Sequence, residues 1–408
     1  MKETIKPEQD ISLKLRTMRY LWNVGYFVRR NVPIIDPTED GKQYTDIDVL
    51  GFKLSEELEG NFVIGDCKSG VQQKNIERLF WIAGVMKLFG TDKGYFIRSK
   101  ISGKKYLELT KTLGITPLSV EHLDELEKSY SIDSNSFYGA FAEEYKESDA
   151  IFGKIRRILP ETNNYLNSLY WQDTPDVQIT NVIASCKKLL EVTNISTNSK
   201  NFLLTYTLAL FSLSILRFSR AVLPFRDEEK AEAIELALLG GKLLREERKR
   251  LLGGFYDFMA KEIQERYKSK YSISKNQFLE SLVPPYSKHL IDFITRLCKN
   301  PVNYIALPRV LDAIAYEAML GKRKIEPKDV LPISTSISPS KIVKPLKDFL
   351  ILAERIHCID AAISDEIYAK IAHWEVMKSK SEGDKQVDAA IQEAKDENKS
   401  KQQHLIDQ

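Results

Sequence analysis

The chain has 408 residues, 43% of them hydrophobic and 29% charged, with a formal charge of +3 from 60 Lys+Arg against 57 Asp+Glu. At roughly one domain per 100–200 residues, this length predicts two or three domains, and the ordinary apolar and charged content excludes global disorder. So even a charge balance neither demands nor excludes nucleic acid, because binding can rest on a local basic patch.

Met1–Asp10 is polar and lacks the apolar stretch of a signal peptide. Residues 11–24 (ISLKLRTMRYLWNV) carry Leu13, Met18, Leu21, Trp22 and Val24 on an approximate helical stripe, with Asp10 as the expected N-cap. Tyr26–Ile35 (YFVRRNVPII) reads as a strand, and Pro33 predicts that regular pairing stops before its end. The loop DPTEDGKQ follows, then strands over Tyr44–Leu54 and Gly60–Cys67, joined as an antiparallel hairpin by SEELE. Gln72–Phe89 is a helix with an apolar face, and Gly94–Ser99 (GYFIRS) is a fourth strand. This order predicts an α/β unit with a mixed sheet flanked by helices.

After Glu127 helical periodicity dominates, through 151–159, 177–192, 202–222, 228–268, 275–297 and 301–320. Internal Pro and Gly residues are expected to kink or split the longest of these. Residues 201–216 (NFLLTYTLALFSLSIL) are too short and too hydroxyl-rich for a membrane span, so they are expected to be a core helix. Pro327 sits at an expected first helical turn, a Ser-rich linker follows, and a last helical region starts near Val343. The expected organisation is an α/β domain over 1–126, a larger all-helical domain over 127–376, and a charged tail over 377–408.

Cys67, Cys186, Cys298 and Cys358 form no C-x-x-C pair and the five His show no ligand spacing, so zinc is not expected; reduced thiols suit a cytoplasmic protein. No phosphate-binding G-x-x-x-x-G-K-[ST] loop occurs. The charge run REERKR at 245–250 reads as a solvated helix face.

The hairpin carries charge where a sheet should be apolar. Asp46 and Asp48 lie two apart on one strand, and Asp66 and Lys68 two apart on the next, so each pair shares a face. Centring the turn on Glu57 sets Asp48 opposite Asp66 and Asp46 opposite Lys68. Facing carboxylates repel, and something must offset that repulsion. A hard divalent cation with oxygen ligands from both strands would do so. The alternative is an Asp46–Lys68 ion pair on a solvated face.

The run TDIDVLGF, then NFVIGDCKSG, then a helix with Gln72 and Gln73 near its start resembles the core of the PD-(D/E)XK nucleases, the restriction-endonuclease-like superfamily. The resemblance covers roughly residues 10–100, with Asp48 matching the first acid and Asp66-Cys67-Lys68 the (D/E)-x-K element. Two departures stand out: the first helix offers Lys14 and Arg16 where many members carry a Glu, and no Pro precedes the first acid. The resemblance implies a restriction-endonuclease-like fold and hydrolysis of phosphodiester bonds, with DNA favoured over RNA, in restriction, repair or defence. It implies Mg²⁺ or Mn²⁺ held by Asp48, Asp66 and the Cys67 backbone carbonyl, with Asp46 in an outer shell. Lys68 would orient or help deprotonate the attacking water, and Gln73 would orient it or contact the backbone. Arg29, Arg30, Lys100, Lys104 and Lys105 are candidate phosphate contacts. The rival expectation is an inert nuclease-like unit in a binding or scaffold protein, acting through its helical region as a homo-oligomer or on a protein partner. No membrane contact is expected.

Overall fold

A computed structural model describes residues 7–36, 42–69, 75–91, 93–101, 104–132, 142–239, 241–268, 273–280, 284–332 and 337–375. The expected tail over 377–408 lies outside them.

The N-terminal unit runs α1 (Pro7–Asn23), β1 (Phe27–Ile35), β2 (Gln43–Leu54), β3 (Gly60–Lys68), α2 (Asn75–Leu88), β4 (Gly94–Arg98), α3 (Lys104–Thr112), β5 (Ile115–Ser119) and α4 (Val120–Ser129). Its five strands form one sheet in the order β1-β2-β3-β4-β5, antiparallel across the first three and parallel across the last three. Because α1 starts at Pro7, Asp10 lies inside the helix and is not its cap. Pro33 pairs with Asp46 in regular register, and an irregularity comes only between Ile34 and Ile35. An edge strand tolerates a missing N–H, which is why the pairing outlasts the proline. The fifth strand, ITPLS, is too short and too proline-marked to signal itself; it too is an edge.

The β2–β3 pairing runs from Val49↔Gly65 to Leu54↔Gly60, the register that follows from a turn centred on Glu57. Ser55 Oγ accepts from the backbone N–H groups of Glu57 (3.2 Å) and Glu59 (3.1 Å) and ties the turn together. Gly51 faces Val63, and a Cβ there would lie 2.5 Å from Val63 Cγ1, so the two strands close only over a glycine. Successive β3 side chains reach opposite sides. Cys67 Sγ meets Thr17 of α1 at 3.5 Å, whereas the neighbouring Asp66 is bound by Arg78 of α2. Thus α1 covers one face of the sheet and α2 the other.

The helical region comprises α5 (Ala142–Ile158), α6 (Pro160–Asn167), α7 (Pro175–Glu191), α8 (Thr197–Val222), α9 (Asp227–Leu238) and α10 (Gly241–Tyr267). It continues through α11 (Lys275–Glu280), α12 (Ser287–Lys299), α13 (Leu307–Ala313), α14 (Pro327–Val330), α15 (Ser340–Arg355) and α16 (Ala361–Ala369). The expected helices over 228–268 and 275–297 are each split in two, and α13 passes directly into a π-helix over Ile314–Leu320. The apolar run over 201–216 lies in α8, whose most apolar window is 94% buried inside the protein.

Two expectations about the join between the units need correction. The boundary expected at 126/127 falls inside α4, and Glu127 of that helix pairs with Arg16 (2.8 Å) and Arg19 (2.7 Å) of α1, so all of α4 belongs with the sheet. Nor are Arg29 and Arg30 free for phosphates. Arg29 meets Asp312 at 2.8 Å in the buried seam, and Arg30 meets Asp149 of α5 at 2.6 Å and stacks on Tyr145. The buried Arg309 donates to the carbonyls of Trp22 (2.6 Å) and Tyr26 (3.1 Å), and Trp22 Nε1 donates to Asp329 O (2.8 Å). Buried apolar residues of both units form one continuous cluster.

Candidate functional site

The recorded β2–β3 pairs end at Val49↔Gly65, and the candidate acids lie just past that point. There the backbone N–H of Cys67 donates not to a carbonyl but to Asp48 Oδ2, at 2.9 Å. Lys68 Nζ stands 3.3 Å from the same oxygen. Oδ1 of Asp48 meets Lys14 Nζ of α1 at 2.6 Å. Asp48 is thus buried against one backbone donor and two ammonium groups.

Asp66 is wholly buried and bound differently. Arg98, on β4 next to β3, holds its Oδ2, and Arg78 of α2 holds its Oδ1. Burial alone would raise the Asp66 pKa; the hydrogen bond from Arg78 and the charges of Arg98 and Arg78 outweigh it and hold the carboxyl below the usual carboxylate range. Both guanidinium groups also lie over aromatic rings, Arg98 over Phe96 and Arg78 over Trp81.

The structure therefore brings together Asp48, Lys68 and the backbone of Cys67, with Asp66 on the adjoining residue but bound to its own two arginines. Asp46 is exposed and opposite Pro33; among the described residues it makes no ion pair, and Lys68 turns to Asp48 instead. Gln73 lies outside the described residues, as do the side chains of Lys104 and Lys105; Lys100 is exposed. The Cys67 thiol is no nucleophile, because burial, reinforced by the charges of Asp48 and Asp66, pushes it up to about 12.

Sequence reasoning missed the arginines. Neither Arg78 nor Arg98 belongs to the motif, and Lys14 stands out in the sequence only as a departure from the family pattern. The signal for Arg98 was a lone cation ending an apolar strand, GYFIR, in register with Lys68.

Does this donor set suit a divalent cation? Among the described residues no group of three or more His, Cys, Asp or Glu stands ready to hold one. Yet each acid has one oxygen anchored from within, by Cys67 N–H or by Arg98, and the other facing a cation on a long stem. The Lys14 ammonium on Asp48 Oδ1 and the Arg78 guanidinium on Asp66 Oδ1 stand where a hard cation binds carboxylates. Two carboxylate oxygens and a backbone carbonyl are the ligand types that Mg²⁺ takes together with water and phosphate. A metal held by this set would have to displace both Lys14, which comes from the α1 side of the sheet, and Arg78, which comes from the α2 side.

At the same edge, past the carboxyl ends of β3 and β4, a cleft of about 280 Å³ is lined by Ser12, Arg16, Ser69, Ser99 and Val120. In parallel sheets that edge is where ligands bind. No family model, curated protein or solved structure matches the chain.

Proposed function

We propose that the N-terminal unit is a metal-dependent nuclease of the restriction-endonuclease-like kind, acting on a phosphodiester backbone, with DNA favoured. One observation carries this reading: Asp48 and Lys68, from the ends of adjacent strands, meet at 3.3 Å beside a buried Asp66. Asp48 Oδ1, Asp66 Oδ1 and the Cys67 carbonyl would hold Mg²⁺ or Mn²⁺. What such an ion supplies when bound is a water of lowered pKa and neutralisation of charge on the scissile phosphate. The chain's own groups do the rest. Cys67 N–H and Arg98 keep each carboxylate aimed, and Lys68 orients the attacking water and stabilises charge developing on the phosphate. Lys14 and Arg78, once displaced from the acids, are free to bind the flanking phosphates as counterions.

A second reading has its own observation: four cations, Lys14, Lys68, Arg78 and Arg98, already surround two carboxylates. Such a positive cluster suits a unit that grips a nucleic-acid backbone without cutting it. The discriminating experiment incubates the full chain with plasmid, single-stranded DNA and RNA in Mg²⁺, in Mn²⁺ and in EDTA, beside Lys68→Ala. Cleavage that needs the metal and is lost in Lys68→Ala supports the nuclease. Binding without cleavage by the wild type in either metal favours the second reading. Equal cutting by wild type and variant sinks the assignment of this site.

A further inference from the structure

A cavity of about 440 Å³ opens where the β2–β3 hairpin meets the helical region, and nothing in the proposed nuclease chemistry uses it. Lys53 on its wall is five residues along β2 from Asp48, roughly 17 Å at the strand rise. The apolar walls come from both units: Phe27 and Phe52 from the sheet, Leu213, Ile305 and Leu331 from the helical side, and Ile337 beyond. The volume lies within the roughly 300–1,000 Å³ range of small-molecule pockets, which favour such junctions.

One end of this cavity holds Lys53, with which no carboxylate pairs directly among the described residues. The Lys53 side chain lies across Gly25, whose φ is +102°; a Cβ there would come within 3.2 Å of both Cε and Nζ. The glycine thus serves the left-handed turn and makes room for the lysine. Lys53 Nζ donates to Val24 O at 2.9 Å, and among the described residues no carboxylate pairs with it. Burial, then the charges of Arg309 and Lys93, holds this ammonium below the ordinary lysine range. Glu56 and Glu57 also line the cavity but are exposed, where water and salt screen them. An apolar chamber with a half-buried cation that no carboxylate pairs with among the described residues suits a ligand of the matching polarity.

We propose that this cavity binds a small amphipathic anion, its acyl or aromatic body in the seam and its carboxylate, sulfonate or phosphate head on Lys53. Because the walls belong to both units, such a ligand joins them, and it stabilises the folded chain by mass action. The proposal does not rest on the nuclease reading.

The test uses the full chain and 8-anilinonaphthalene-1-sulfonate, an aromatic anion of suitable size whose fluorescence rises in apolar surroundings. Decanoate and the uncharged decanol serve as competitors, and Lys53→Met and Ile305→Trp as variants, with circular dichroism melting to verify folding. The wild type should bind the probe saturably, and decanoate should displace it at about tenfold lower concentration than decanol, as expected for a hydrogen bond to a charged group. Lys53→Met should erase that preference while leaving decanol unchanged, and Ile305→Trp, which fills the chamber, should remove probe binding. Should Ile305→Trp fail to fold, the Lys53→Met comparison decides alone. No saturable binding, equal competition by decanol and decanoate in the wild type, or an unaltered preference in Lys53→Met would overturn the proposal. So would full probe binding by a folded Ile305→Trp.

Discussion

Charge is buried both at the seam and at the end of β3, but the two places enclose it differently. At the seam Asp312 is fully buried and Arg29, its partner, is 6% exposed and lies between the rings of Phe27 (4.1 Å) and Tyr206 (4.5 Å). At the end of β3 Asp66 is equally enclosed, but the side chain of Arg78 is 26% exposed, and those of Lys14 and Lys68 on Asp48 are 14% and 27% exposed. The first arrangement is closed on every side, whereas the second is closed beneath and open above. A closed pair can only be broken, leaving a buried charge unpaired. In the proposed function an open-sided cluster exchanges its cations for a metal or a phosphate chain, so mutation should separate structure from activity.

The largest effect is expected at the seam. Asp312→Ala leaves Arg29 buried without its carboxylate, and the loss of folding stability should be about 3–5 kcal/mol in urea titration. Because the apolar cluster is continuous through both units, unfolding should remain a single transition by tryptophan fluorescence and far-ultraviolet circular dichroism. Two separated transitions in the wild type would show the seam to be weaker than its contacts suggest.

A smaller loss is expected for Asp66→Asn. Two facing carboxylates would be relieved by neutralising one, but Asp66 faces two guanidinium groups, so the change should destabilise by about 2–3 kcal/mol. Arg78 can turn to water, which keeps the loss below that at the seam. Metal-dependent cleavage should vanish as well. If Asp66→Asn were as stable as the wild type, the arginine pairs would not be present in solution.

The same residue sets a pH dependence. Its carboxyl titrates below the unfolded value of about 3.9, so the stability it contributes is present above that pH and is lost as pH falls through its folded-state pKa. Acid titration of the unfolding free energy should therefore slope downward below pH ~4 in the wild type and less steeply in Asp66→Asn. Equal slopes would remove Asp66 from the acid-sensitive groups.

The smallest stability effect belongs to Lys68→Ala, under about 1 kcal/mol, because a part-exposed ammonium is lost while Asp48 keeps Lys14 and the Cys67 N–H. Its effect on cleavage should nonetheless be complete. That split, activity gone and fold intact, is what an open-sided site predicts and a closed one forbids. A loss of several kcal/mol would place Lys68 with the structural charges.

Local patterning made much of the N-terminal unit readable. Alternation in TDIDVLGF and NFVIG marked β2 and β3, and the five-residue connection SEELE set their register, since a turn that short leaves few ways to pair two strands. The same two rules placed Asp48 and Asp66 at neighbouring strand ends, and they predicted that something must neutralise the acids. They could not supply its identity. Lys14, Arg78 and Arg98 come from α1, α2 and β4, and only the packing of those elements on the sheet carries their cations to the carboxylates. The reassignment of Arg29 has the same origin: on a strand it looks like any basic residue, until α13 brings Asp312 against it. Strand type and register follow from side-chain period and loop length, which are properties of a short stretch of chain. Which charges meet depends on contacts between residues far apart in sequence, and burial makes those contacts obligatory, since an unpaired charge away from water is too costly to keep.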